Sequence, residues 1–271
     1  MKSLLKATST AASLLVVLVL GACTPSALPS GSTSPTAARA TEAKPVPAAE
    51  SASPYGITNS LDGSEDLPDG RVLYGHISWT DPVIPPYGAL ALLAGVRDAS
   101  GKELLFGDAD AGSSPAPGEL RQYWAYRLNE TEYAAPLTLS FVVQASIPAD
   151  GGSFVFDPGP EPQLGQVWDI RQDVVVNKQT VHVLSAEQAG IEPGYFLFTM
   201  QSDSNIVGAA ITDLAHPPSG GGGGGGGVPV AGAPFRSGFG YQVPLPPGPY
   251  RLTLTNVAVL VPGDWALKWT P

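Results

Sequence analysis

Residues 136–148 read PLTLSFVVQASIP, and their apolar side chains recur at every second position. Leu137, Leu139, Phe141, Val143, Ala145 and Ile147 share one parity, while Thr138, Ser140, Gln144 and Ser146 share the other. An extended strand sends successive side chains to opposite faces, whereas a helix brings them back every ~3.6 residues. The stretch therefore specifies a strand with one dry face and one wet face. From Tyr55 onward the same period returns at 71–79, 89–96, 121–128, 167–176, 179–185, 194–200, 205–212, 250–261 and 264–270, between Gly-, Pro-, Asn- and Asp-rich connections. Long runs of helical period are hard to find, so an all-β chain is expected.

Finer features come from the same reading. Asn177-Lys178 separates two alternating runs, and Asn tolerates the left-handed backbone of a two-residue hairpin. In 250–261 the apolar parity switches from even to odd numbers near Thr255-Asn256, which predicts a bulge. Trp265, Leu267 and Trp269 alternate with Asp264, Ala266 and Lys268, so both indoles should point inward. The 217 residues from Tyr55 to the end suit two modules of ~100 residues better than one small sandwich. The boundary is expected at PADGGS, 148–153, giving modules 55–150 and 151–271; one large sandwich is the competing arrangement. Eight successive glycines from Gly220 fit a slack loop, 219–227, inside the second module. They lack the Lys-Ser/Thr neighbours of a phosphate-binding loop.

The front of the chain has a different character. Lys2 and Lys6 precede an almost wholly apolar run, Ala11 to Leu20, which is shorter than the ~20 residues a bilayer-crossing helix needs. Small residues Gly21 and Ala22 follow, as at a signal-processing site. Leu20-Gly21-Ala22-Cys23 resembles the lipobox of bacterial lipoproteins, and Cys23 is the only cysteine in the chain. The resemblance implies cleavage between Ala22 and Cys23, thioether lipidation of the sulfur and acylation of the new amino terminus. Residues 1–22 are then a signal peptide. Residues 23–54 are a lipidated cysteine plus a Ser/Thr/Ala/Pro tether with too little apolar surface to offset its chain entropy. The expected location is the cell membrane, lipid-anchored, with the body facing the extracytoplasmic side.

With Cys23 committed to lipid, neither a disulfide nor a thiolate metal site is available. Without Lys2 and Lys6, 12 basic residues stand against 24 acidic ones, a net charge near −12. A body of that sign repels nucleic acid and anionic lipid surfaces. The stretch from 136 to 188, with Phe156, Asp157, Pro158, Gly159, Gly165, Gln166 and Trp168 in a FDPGPxPQxGQxW cadence, carries a second resemblance. It is similar to immunoglobulin-like domains of unknown function in bacterial anti-sigma-factor-type membrane proteins and related lipoproteins, most clearly over 136–212 and less so over 250–271. The resemblance implies an immunoglobulin-like β-sandwich outside the cytoplasmic membrane and no catalytic residue; with the chain length, the expected body is two such sandwiches in tandem. The chain departs from that family in having no sigma-binding part and no spanning helix.

Chemistry has few candidates. His76 and His182 sit inside expected strands, and His216 precedes Pro217, with no zinc-type spacing among them. Asp62, Asp66 and Asp69 in DGSEDLPDG are calcium candidates, as are Asp108 and Asp110 in DADAG. However, Leu67 and Leu73 occupy the positions where an EF-hand loop needs Gly and Glu, so a solvated acidic turn is expected. No GxSxG elbow occurs. No cofactor and no enzymatic activity are expected. Trp79, Trp124 and Tyr126 are the candidate binding residues: exposed, they would stack on sugar rings or meet a protein, and buried, they would fill a core. A non-catalytic binding role at the envelope follows, with an envelope protein or a glycan as partner. A sensory or structural module related to anti-sigma-factor ectodomains is the alternative.

Overall fold

The computed structural model describes residues 54–112, 114–190, 194–216, 228–241, 245 and 248–270. The signal peptide, Ala22, Cys23, the tether up to Ser53 and the glycine loop, 219–227, lie outside the described residues. Among the described residues every regular element is a strand, and no helix is long and apolar enough to cross a membrane.

The strands are β1 (Thr58–Leu67), β2 (Gly70–Ser78), β3 (Ala89–Arg97), β4 (Phe106–Asp108), β5 (Arg121–Leu128), β6 (Leu137–Pro148) and β7 (Ser153–Phe156). They continue as β8 (Val167–Val176), β9 (Gln179–Gln188), β10 (Tyr195–Ser202), β11 (Ile206–Asp213), β12 (Phe235–Gly240), β13 (Tyr250–Leu260) and β14 (Ala266–Trp269). All pairings are antiparallel. Two four-stranded sheets run β1-β2-β5-β4 and β12-β10-β9-β8. A third, six-stranded sheet holds β11, β13, β6 and β14 in order, with β3 also on β6 and β7 also on β13.

The long sheet is continued by overlap from one of its ends to the other. β6 and β7 follow one another along one edge of β13, while β13 and β14 follow one another along one edge of β6. β13 runs unbroken beside the gap at 149–152, and β6 runs unbroken beside the gap at 261–265. Pro and Gly mark both breaks, in PADGG, where Pro148 ends β6, and in VPGDW, the residues that end strands. At both gaps the interrupted chain has two residues more than the strand beside it: Pro148↔Asn256 gives way to Ser153↔Thr253, and Gln144↔Leu260 to Ser140↔Ala266.

The dry faces meet in layers. β5 lays Trp124 and Tyr126 against Phe141 of β6, with ring centroids 5.0 and 6.3 Å apart. At the other end Phe156 of β7 stands edge-on to Phe196 and Phe198 of β10, both at 5.1 Å. Each buried Phe contributes about 1.5–3 kcal/mol. Gly75 of β2 leaves room for the Trp124 indole, since a methyl there would lie 2.8 Å from Trp124 Cε2.

Several expectations from the sequence meet their counterparts directly. On β6, Leu137, Leu139, Phe141, Val143 and Ala145 are buried and alternate with outward positions. Trp265, Leu267 and Trp269 are buried as well. β13 has a register shift opposite Ala210/Ile211 that skips Thr255, at the parity change. Asn177 and Lys178 take φ of 49° and 62° between the paired residues Val176 and Gln179. Two expectations need correction. Residues 266–269, assigned to a second module ending at 271, pair with β6 at Leu137–Ser140 of the first. The acidic stretch 62–70, read as a turn, is strand through Leu67, because its small and polar side chains lie on an open edge beside β2.

Candidate functional site

The three candidate aromatic residues face inward. Trp79, Trp124 and Tyr126 are 3%, 6% and 7% exposed, so they present no surface to a sugar or a protein. Their polar atoms are satisfied inside: Trp79 Nε1 donates to Ile84 O at 3.1 Å, and Trp124 Nε1 to Asn59 Oδ1 at 2.9 Å. Tyr126 Oη accepts from Leu93 N at 3.0 Å and donates to Ala91 O at 3.2 Å, and burial pushes its phenol above the ordinary range.

The calcium candidates are dispersed, each taken by a different side chain of a neighbouring strand. Asp62 meets His76 Nδ1 at 2.8 Å, Asp66 meets Arg71, and Asp69 meets Arg127. The extended backbone of β1 carries Asp62 and Asp66 roughly 13 Å apart, at ~3.3 Å per residue, and Asp69 lies beyond its end. Asp110 accepts from Gly112 N at 2.9 Å in a local turn, and Asp108 ends β4. Among the described residues no three His, Cys, Asp or Glu side chains converge to hold a metal ion.

All three histidines pair with carboxylates. His182 of β9 lies between Asp173 of β8, at 2.7 Å from Nδ1, and Asp203 beyond β10, at 3.2 Å from Nε2. The Asp173 hydrogen bond foremost, and then that of Asp203, raise the imidazole above its ordinary pKa. His76 sits on the outer face of β2, and neither it nor His182 lines the cavities described below. These two pairs tie adjacent strands.

The third pair belongs to a site that sequence reasoning missed. Asp213, the last residue of β11, is 2% exposed. Its Oδ1 accepts from Ala215 N at 2.9 Å and His216 N at 3.3 Å, and its Oδ2 from Tyr241 Oη at 2.7 Å and His216 Nδ1 at 3.2 Å. Burial is the largest influence on this carboxyl and acts to raise it, yet the donors together hold it below the ordinary range. Burial first, then the facing Asp213, push the Tyr241 phenol far up. A cavity of about 450 Å³ opens beside Asp213, with Gly152, Ser153, Leu214, Ala215, Arg251 and Thr253 as its other walls. The i, i+3 spacing of Asp213 and His216 is visible in the sequence, but Ser153, Arg251 and Thr253 arrive only through pairing of β7 with β13.

A second cavity, of about 330 Å³, lies where β13 breaks before β14 and is mostly apolar, with Phe141, Leu260 and Trp265 among its walls. Asp98, after β3, collects Ser100 Oγ at 2.6 Å and the backbone nitrogens of Ser100, Lys102 and Ala134. The Ser100 hydroxyl leads in holding its carboxyl down to about 2.

Comparison with family models, with curated proteins and with solved structures finds no match.

Proposed function

We propose that this is a lipid-anchored extracytoplasmic protein whose all-β body makes non-catalytic contacts with a partner at the cell envelope. The observation that carries the reading is Leu20-Gly21-Ala22-Cys23, placed after a basic start and a short apolar run and before a tether poor in apolar residues. Two or more acyl chains on Cys23 would hold the protein stably, since each buried methylene contributes about 0.8 kcal/mol and one chain alone is marginal. A net charge near −12 would keep the body off an anionic lipid surface, leaving it accessible at the end of its tether. The layered strands support the immunoglobulin-like resemblance over 136–212.

Burial of Trp79, Trp124 and Tyr126 favours a protein partner over a glycan, because sugar recognition by stacking needs exposed ring faces. The test is fractionation of cells producing the full chain or its Cys23→Ala variant. The unaltered chain should sediment with membranes and resist high salt, whereas Cys23→Ala should stay in the soluble fraction. Unchanged membrane partition of Cys23→Ala would refute the anchor.

A further inference from the structure

Seven arginines fall among the described residues, and six of them hold a carboxylate: Arg71, Arg97, Arg121, Arg127, Arg171 and Arg236 pair with Asp66, Glu103, Glu119, Asp69, Asp169 and Glu187. Arg251 is the exception among them. In a chain with 24 acidic residues, a guanidinium without a carboxylate is unexpected. It stands in the wall of the 450 Å³ cavity, a size within the range of about 300–1,000 Å³ common for small-molecule sites.

Register places its polar neighbours. Ser153 of β7 lies directly across from Thr253 of β13, and Arg251 lies across from Val155. Arg251, Thr253 and Ser153 thus project from the same face of the long sheet, opposite to the face on which Leu252 and Phe154 are buried. Arg251 Nε donates to Ser153 Oγ at 3.1 Å, which fixes the guanidinium and leaves both Nη groups for a ligand. Such a fork matches the two oxygens of a carboxylate. Asp213, on the adjacent strand β11 and paired with Leu252, turns its side chain toward the buried face and does not compete for ligand hydrogen bonds, since its oxygens already accept four donors. Its charge does set a limit: repulsion grows with ligand charge, so a monoanion is tolerated better than a phosphate dianion. Leu214, 73% exposed, and Ala215 supply an apolar wall.

We propose that this cavity binds the carboxylate of a small organic acid, held by Arg251 with Ser153 and Thr253, with its hydrocarbon part against Leu214 and Ala215. The proposal goes beyond an envelope role and is independent of the lipid on Cys23. Benzoate is the probe, benzyl alcohol its neutral counterpart and inorganic phosphate the competing oxyanion. Thermal melting and calorimetric titration of the full chain in detergent read binding. Benzoate should raise the melting temperature saturably and benzyl alcohol should not. Arg251→Gln should melt like the unaltered chain without ligand and bind benzoate at least about tenfold more weakly, as loss of a charge-assisted pair implies. Leu214→Asp, an exposed change that adds a negative charge at the cavity, should also weaken benzoate. The proposal is overturned if benzoate gives no saturable shift, if benzyl alcohol matches it, or if Arg251→Gln leaves it unchanged. Tighter binding of phosphate through Arg251 would overturn the assignment to a monoanion.

Discussion

Gly152 occupies the gap through which the chain leaves β6 and enters β7, and Gly152→Ala is the most informative single change in the fold. Its φ is +105°, and a methyl on its Cα would lie 2.7 Å from Val174 Cγ1 and 2.8 Å from Val175 O. The Gly152 carbonyl also accepts Leu254 N at 3.0 Å, so the backbone cannot rotate away without losing that bond. Holding a non-glycine residue at such a φ costs about 1–3 kcal/mol. Forcing a methyl into a filled space costs a further 1–3 kcal/mol or so, more where a carbonyl oxygen must give way. A total of about 2–6 kcal/mol compares with whole-domain stabilities of about 5–15 kcal/mol. At about 2–4 °C per kcal/mol for a body of this size, the melting temperature should fall by about 4–24 °C. Two other glycines calibrate the result. Gly151 has φ +121° with nothing within 4 Å of an added methyl, so Gly151→Ala should show the backbone part alone, about 1–3 kcal/mol. Gly95 has open space and no positive φ, so Gly95→Ala should be neutral or stabilising by up to about 1 kcal/mol. Circular-dichroism melts of the three variants should therefore form a graded series. A Gly152→Ala variant melting with Gly151→Ala, or within about 2 °C of the unaltered chain, would refute the steric part of the reasoning.

Two further changes test the strand ties. The raised pKa of His182 means that its contribution to stability is complete below the unfolded value of about 6.5 and is lost as pH rises through the folded value. His182→Gln should accordingly lower the melting temperature at about pH 5.5 and converge with the unaltered chain at alkaline pH; a difference that grew with pH would contradict the Asp173–His182–Asp203 clamp. Asn177 fastens the β8–β9 hairpin tip to the β6–β7 gap, accepting Asp150 N at 2.9 Å and donating to Pro148 O at 3.1 Å. Asn177→Ala should cost about 1–3 kcal/mol, and Asn177→Gly less because the left-handed backbone is kept; equal melting of all three forms would disprove the tie.

The strands that could be read from the sequence were those with a strong contrast between faces. β6 alternates cleanly, and in β13 the parity change near Thr255 marks the bulge because a bulge moves every following side chain to the other face. β1 was hidden by its composition: on an edge with neither face fully buried, its acidic and small residues look like a turn. β4, β7 and β12 are short, and three to six residues do not establish a period. The aromatic candidates were left open between core and surface for a related reason: alternation shows that Trp124 and Tyr126 share a face without saying whether that face is wet. The cavity beside Asp213 was beyond reach, since Ser153, Asp213 and Arg251 come from three strands.

What the sequence determined by itself is the local alternation of each long strand, the hairpin at Asn177-Lys178 and the places where strands must stop. These depend on backbone geometry over two to six neighbouring residues, and the chain writes them in its own order. Which strand lies beside which was decided only in the tertiary structure. β14 closes on β6, and β7 and β6 share one edge of β13, because the hydrogen-bonding edge of any strand accepts any other and only simultaneous burial of every dry face selects among the pairings. The carboxylate-binding cavity proposed at Arg251 exists at that level alone, on a face assembled by strands far apart in the chain.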